Sequence, residues 1–299
     1  MNLFDPMPPA LHAQEYFDLL EAGERKDRIG ALFHYAEQLT NLIQAHIGFP
    51  VEAPIVKIKL VNSFFAEAIF NQIEISQGFI DFCLAIPPVP FSEVIECQAG
   101  DPLMPDYQHC AVFAWTVGHE YFHGIRAHGE VLRQFSGSQE HQQAVEIDSD
   151  LFAVGLLYRL TQGHLAWLYP DSIIRQIVFA SLFWGIRHFG QLPGLSEGGT
   201  HPPLRERLYH IMIKLTHLNE VPFTQVDPGK MPEGFERTAK LLENVAGKTE
   251  RLFKQRFPED LFDFQQFSDE FARAGGWTKF TNAWEELRGP VSSISSTKT

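Results

Sequence analysis

Hydrophobic positions along the chain follow two periods. Between Lys26 and His46, the residues Ile29, Leu32, Phe33, Ala36, Leu39 and Ile43 recur at spacings of three and four, as on a helix with one buried face. Leu11–Leu20 reads as a shorter helix before it, and Gly48-Phe49-Pro50 is a stop signal. Val56–Leu60 alternates apolar and polar side chains, and so does Phe70–Ser76, which predicts two strands of a small antiparallel sheet. Gly78–Ala85 reads as a short helix. Ile86–Asp106 is rich in Pro and acidic residues with little periodicity, as in a lid, a cleft wall or a mobile loop.

Helical periodicity then dominates. Helices are predicted over Tyr107–His128, Gln139–Leu160, Ser172–Phe189 and Leu204–His217. A polar connector, Gly129–Ser138, and a Gly/Pro-rich loop, Gly190–Pro203, separate them. Val221–Pro232 reads as a linker. Glu233–Arg256 and Pro258–Leu287 form a C-terminal helical extension whose seven Phe residues, from Phe235 to Phe271, are expected to pack in a core. No internal repeat is present. The expectation is a mainly helical α+β fold, with one domain over 1–220, a helical extension over 221–290 and a disordered tail over 291–299.

Composition narrows the function classes. The 299 residues are 44% hydrophobic and 20% charged, which suits a globular chain. A net charge of −13 argues against non-specific binding to nucleic acid or to an anionic membrane. The longest charge-free run, Gln38–Val51, contains Gln, Asn, Thr and His. The most apolar stretch, Gln176–Ile186, is short and bracketed by Arg175 and Arg187. No transmembrane segment is expected, and MNLFDPMPPA does not read as a secretory signal. Cys83, Cys97 and Cys110 are odd in number and not in CxxC spacing, which points to buried thiols in a reducing cytoplasm.

One motif carries chemistry: His119-Glu120-Tyr121-Phe122-His123. Two His at i and i+4 lie one above the other on a helix face and can bind one Zn²⁺ through neutral imidazoles. The Glu between them projects beside the metal, where it can accept a proton from water. The flanking apolar residues would bury this helix, and burying two unpaired His and a Glu without a metal is costly.

A third ligand must come from elsewhere. The candidates are His128, Glu130, Glu140, His141, Glu146, Asp148 and Asp150. Glu146 is the best placed, because it begins a strongly apolar stretch of helix. Asp150 lies one turn later on the same face, where a carboxylate can accept the free ring N–H of a ligand His. Asp148 points roughly opposite and reads as solvated or as a cap partner. Further on, Thr200-His201-Pro202-Pro203 stiffens the entry to a helix carrying Arg207. His201 can aim a donor at a cleft, and Arg207 can fork onto a carboxylate.

Taken in this order, His119-Glu120-x-x-His123, Glu146-x-x-x-Asp150 and the Thr-His-Pro-Pro…Arg segment resemble the CAAX-prenyl-protease/HtpX/Oma-type gluzincin metallopeptidases. The resemblance spans about residues 56 to 217. It implies a zincin-like domain in which His119, His123 and Glu146 are the ligands of one Zn²⁺ per chain and Glu120 is the general base. It further implies that Asp150 sits behind a ligand His, held by Arg207, and that His201 stabilises the oxyanion. Unlike many members of that family, this chain shows no spanning helix, and Asn62-Ser63-Phe64-Phe65-Ala66 matches the family's Asn-Ala-Phe edge-strand segment loosely. The Glu-Ile-Asp-Ser-Asp wording also resembles the Lit-type phage-exclusion peptidases. That branch implies a cytoplasmic, conditionally activated protease of narrow specificity, with a regulatory protein partner.

The expected function is a zinc endopeptidase acting on protein or peptide substrates. The alternative is a regulatory or binding module whose metal site is structural or inert, with His128 or Glu130 closing the coordination shell. An aminopeptidase would need an anchor for the substrate amine, and none is evident.

Overall fold

The computed structural model describes residues 10–47, 50–69, 71–95, 106–134, 138–192, 201–218, 234–276, 281–287 and 289. Cys97 and the rest of 96–105 within the 86–106 segment, Thr200, the 221–232 linker and the 291–299 tail lie outside them; the described part of the 86–106 segment carries a short helix, Phe91–Val94.

The chain is mainly helical, with one small four-stranded sheet. The strands are β1 (Leu11–His12), β2 (Ile55–Lys59), β3 (Ala66–Ile69) and β4 (Gln72–Ser76), in the order β1-β2-β4-β3. The predicted antiparallel pair is in fact parallel, with Val56 beside Ile73 and Ile58 beside Ile75. The cause is β3, which the sequence pattern missed. It forms a hairpin with β4, Ala66 facing Ile75 and Ile69 facing Gln72, and takes the antiparallel edge. The twelve residues between β2 and β4 are enough for the crossover that a parallel pair requires. β3 is left as an edge strand.

Eleven helices, α1 to α11, are followed by a further helical segment at 281–287 among the described residues. Those that build the core are α2 (Glu24–His46), α3 (Gln77–Ala85), α5 (Tyr107–Ile125), α7 (Gln139–Leu165), α8 (Asp171–Phe189), α9 (Leu204–His217) and α10 (Phe235–Arg256). α5 is the axis. It packs against α2, α7, α8 and the sheet, and from Tyr107 to Phe122 only Thr116 and Glu120 are not buried. A helix apolar nearly all round belongs inside the molecule.

Two glycines allow its neighbours to approach. A Cβ on Gly118 would lie 2.9 Å from Leu39 Cδ2 of α2. One on Gly185 of α8 would lie 2.5 Å from Val112 Cγ2, a β-branched side chain with little freedom to turn aside.

Three helical expectations change. Leu11 and His12 pair with β2 as β1, so the first helix, α1 (Ala13–Leu19), starts later than expected. The long helix ends at Ile125 rather than His128, because Ala127 turns left-handed at φ +52°. The predicted polar connector is then the short helix α6 (His128–Gln134). In the C-terminal part, the Pro258–Leu287 stretch of the expected helical extension holds α11 (Phe264–Arg273) and a helical segment at 281–287, with 258–263 outside any helix. Phe253 and Phe264 are buried, and Phe257, Phe262, Phe267 and Phe271 pack against the same core as α5 and α8. No helix among the described residues is long and apolar enough to cross a membrane.

Candidate metal centre

α5 places His119 and His123 one turn apart on a single face, and α7 supplies Glu146 opposite them. Ser138 caps α7 by accepting from the His141 amide at 3.2 Å, which sets the helix phase two turns before Glu146. The donor atoms converge. His119 Nε2 is 3.0 Å from His123 Nε2 and 3.3 Å from Glu146 Oε2, and His123 Nε2 is 3.4 Å from Glu146 Oε1. Tetrahedral ligands held about 2.0–2.1 Å from Zn²⁺ stand about 3.3 Å apart, so the triangle has the size a zinc ion requires.

The other ring nitrogens are engaged. His119 Nδ1 donates to Asp150 Oδ1 at 2.8 Å. Asp150 is fully buried and also accepts from Arg207 Nε at 2.7 Å and Nη2 at 2.6 Å. The Arg207 guanidinium lies over the Trp115 ring, 5.0 Å from its centroid. His123 Nδ1 faces His128 Nδ1 at 2.9 Å. With both Nδ1 atoms so occupied, two imidazole lone pairs and a carboxylate meet at one point. Only a cation or a captured proton reconciles them. The charge count agrees: Glu120, Glu146 and Asp150 face one guanidinium, a deficit of two positive charges when the carboxylates are ionised.

The electrostatics express the same deficit. Burial opposes charge on His119, but the Asp150 and Glu146 carboxylates override it and push the imidazole up to about 10. Burial raises the Asp150 carboxyl, yet Arg207 and His119 bring it down to about 2. Glu146 is likewise raised by burial but held well below the carboxylate range by His123, His119 and His201. Glu120 moves the other way. Burial raises it, and the nearby His residues only partly compensate. Its carboxylate lies 4.0 Å from His119 Nε2, beside the triangle rather than in it. A carboxylate made more basic at that spot is suited to accept a proton.

Neither a protein-family model, nor a curated protein, nor a solved structure matches this chain.

The seven residues to which the resemblance gives roles, His119, Glu120, His123, Glu146, Asp150, His201 and Arg207, lie together here. His201, at the mouth of α9, donates from Nδ1 to Glu146 Oε2 at 2.6 Å, while its side chain remains 62% exposed. Among the described residues, only His119, His123 and Glu146 form a cluster with metal-ligand spacing. The remaining third-ligand candidates do not join it. His141 pairs with Glu286 at 2.8 Å, Glu140 is exposed, and His128 lies behind His123. Asp148 is neither solvated nor a cap. Its Oδ2 lies 3.6 Å from His128 Nε2 and 4.0 Å from Arg126 Nε, because the α6 turn folds back over that face of α7.

Two clefts flank the triangle. One, of about 330 Å³, is walled by Phe64, Phe79, Trp115, Phe189 and Leu204, and Glu120 and His201 reach it. The other, of about 480 Å³, runs along the whole of β3 and ends on Glu120, His123 and His201. These apolar walls, four aromatic and one leucine, come from five separate segments, and nothing in the local sequence marked them as neighbours.

Proposed function

We propose that this chain is a zinc-dependent endopeptidase with a zincin-like catalytic domain. The observation that carries the proposal is the placement of Glu120. It stands beside three convergent donors, at the junction of two clefts, with an edge strand running past. A structural metal site has no use for a basic carboxylate aimed at a cleft. An exopeptidase would close one end, whereas here a cleft opens on each side of Glu120.

His119, His123 and Glu146 would hold the ion. Zn²⁺ bound there supplies a Lewis acid that acidifies water and polarises a carbonyl. The chain's own residues do the rest. An extended substrate pairs with the free edge of β3 and lays one side chain in the aromatic cleft. Glu120 takes the proton from water as its oxygen attacks the scissile carbon. It then returns that proton to the leaving amine as the C–N bond breaks. His201, when protonated, donates from Nδ1 to Glu146 and offers Nε2–H to the carbonyl oxygen as negative charge develops there. Arg207 and Asp150 keep His119 in the Nδ1–H tautomer, which leaves Nε2 for the metal.

The test is Glu120→Gln. Peptide hydrolysis is expected to fall by about 10²–10⁴-fold or more, while zinc binding stays close to wild type. New protein termini in cells expressing wild type, absent with the variant, would name the substrate. Turnover retained in Glu120→Gln would overturn the mechanism.

A further inference from the structure

We infer that His128, backed by Asp148, fixes the orientation and tautomer of His123 as a metal ligand; the inference rests on reading His119, His123 and Glu146 as a metal centre. His123 turns Nε2 to the donor triangle, so its ring hydrogen must sit on Nδ1 for a metal to be bound. That atom faces His128 Nδ1 at 2.9 Å. Two ring nitrogens this close share one hydrogen. With Nε2 of His123 given to a metal, the hydrogen belongs to His123 and the lone pair to His128.

This assignment places the hydrogen of His128 on Nε2. That atom is buried and, among the described residues, has no hydrogen-bond partner. Asp148 Oδ2 is buried and unpartnered in the same sense, and the two lie 3.6 Å apart. One is an N–H donor and the other a carboxylate acceptor. Closure by about half an ångström would bring them to hydrogen-bond distance. The only other polar group near His128 Nδ1 in the described structure is Ser149 Oγ, at 3.4 Å, the longer of the two contacts. Arg126 stands 4.0 Å from Asp148 and over the rings of Phe122 and Trp284, which fixes the far end.

The arrangement parallels that behind His119. There, Asp150 accepts from the ligand His and Arg207 anchors the carboxylate. Behind His123, the same order is His128, then Asp148, then Arg126. An imidazole stands between ligand and carboxylate because α6 turns back beneath α5 at Ala127 and brings His128 under His123.

His128 is thus a positioning residue, and its test reads metal binding rather than turnover. Zinc affinity would be measured by competition with a chromogenic chelator, and geometry by the visible spectrum of the Co²⁺ form, in full-length wild type, His128→Leu, His128→Asn and Asp148→Asn. His128→Leu is expected to weaken zinc binding about 10–100-fold and to change the Co²⁺ bands. His128→Asn, which restores an acceptor near the Nδ1 position, is expected to recover most of that affinity. Wild-type affinity in a folded His128→Leu would overturn the inference. So would a His128→Asn as weak as His128→Leu, since packing rather than the acceptor would then be at work. Should His128→Leu fail to fold, Asp148→Asn decides: weaker zinc binding supports the relay and unchanged binding overturns it. Wild type that takes up neither Zn²⁺ nor Co²⁺ would instead refute the metal centre itself.

Discussion

Two arginines with buried carboxylate partners lie within the same core, and they end in different things. Arg187, on α8, bonds Glu250 Oε1 and Asp260 Oδ1, both at 2.9 Å, between the rings of Phe253 and Phe262, each 4.5 Å away. Its charge is met by neighbours that hand nothing on, and the cluster ties α8 to α10 and the segment after it. Arg207 forks onto Asp150 in a similar way, but Asp150 passes the charge to His119, whose second nitrogen faces two more donors and a cleft. A buried ion pair is therefore no sign of a site by itself. Both clusters set more than one carboxylate against one guanidinium; what distinguishes the second is that its carboxylates meet two imidazole nitrogens at one point, at the edge of open space.

The largest effects separate the two clusters outright. Asp150→Asn leaves Arg207 uncompensated and should cost about 3–5 kcal/mol of stability, with zinc affinity reduced as well. Arg187→Met strands Glu250 and should destabilise by a similar amount, about 3–5 kcal/mol, with zinc affinity unchanged. Denaturant melts paired with chelator competition distinguish them. A drop in zinc affinity in Arg187→Met would break the comparison.

The next effect is a pH dependence belonging to the Arg187 region. Burial, with Arg256 and Arg187 nearby, lowers His188 to about 4, against the Trp184 carbonyl that accepts from its Nδ1. The folded state holds His188 neutral while the unfolded chain takes up a proton below about pH 6.5. Stability should therefore fall as pH drops from 6.5 to about 4, by up to about 3 kcal/mol, and then level off as far as this group is concerned. Buried His128 and His210 are lowered to about 4 as well and add to the same slope, so His188→Phe should lessen that slope by its share in melts recorded across the window. An unchanged slope would remove His188 from the account.

The smallest effect tests the contact between the helices that carry the clusters. Gly185→Ala drives a methyl into Val112 and should cost about 1–3 kcal/mol. Zinc affinity should hold, since the α5–α8 contact lies away from the donors. Calorimetry and chelator competition on the same sample check both halves.

Much of the helical layout was legible from periodicity, because α2, α5, α8 and α9 bury long apolar faces whose spacing survives in sequence. The sheet was less so. β3 is a four-residue edge strand with the sequence Ala-Glu-Ala-Ile, too short and too weakly apolar to announce itself, and missing it gave β2 and β4 the wrong relative direction. His119 and His123, with Glu120 between them, were readable because helical spacing alone brings an i, i+4 pair together, whereas Glu146, on α7, was reached only as the carboxylate that opens an apolar stretch of helix. His128 and Asp148 were misplaced, since both depend on the left-handed Ala127. No local preference predicts that conformation for alanine.

By itself, then, the sequence determined what is local: helix phases, the His pair with its Glu, and the one-turn spacing of Glu146 and Asp150. These follow from backbone geometry that any chain with these residues must obey. Tertiary structure decided everything that needs separate elements to meet: a parallel strand pair, an Arg207 anchor 57 residues from its carboxylate, and an aromatic cleft assembled from five segments. Those contacts arise from packing one apolar face against another, and the information that selects among packings is spread over the whole core rather than written at any one position.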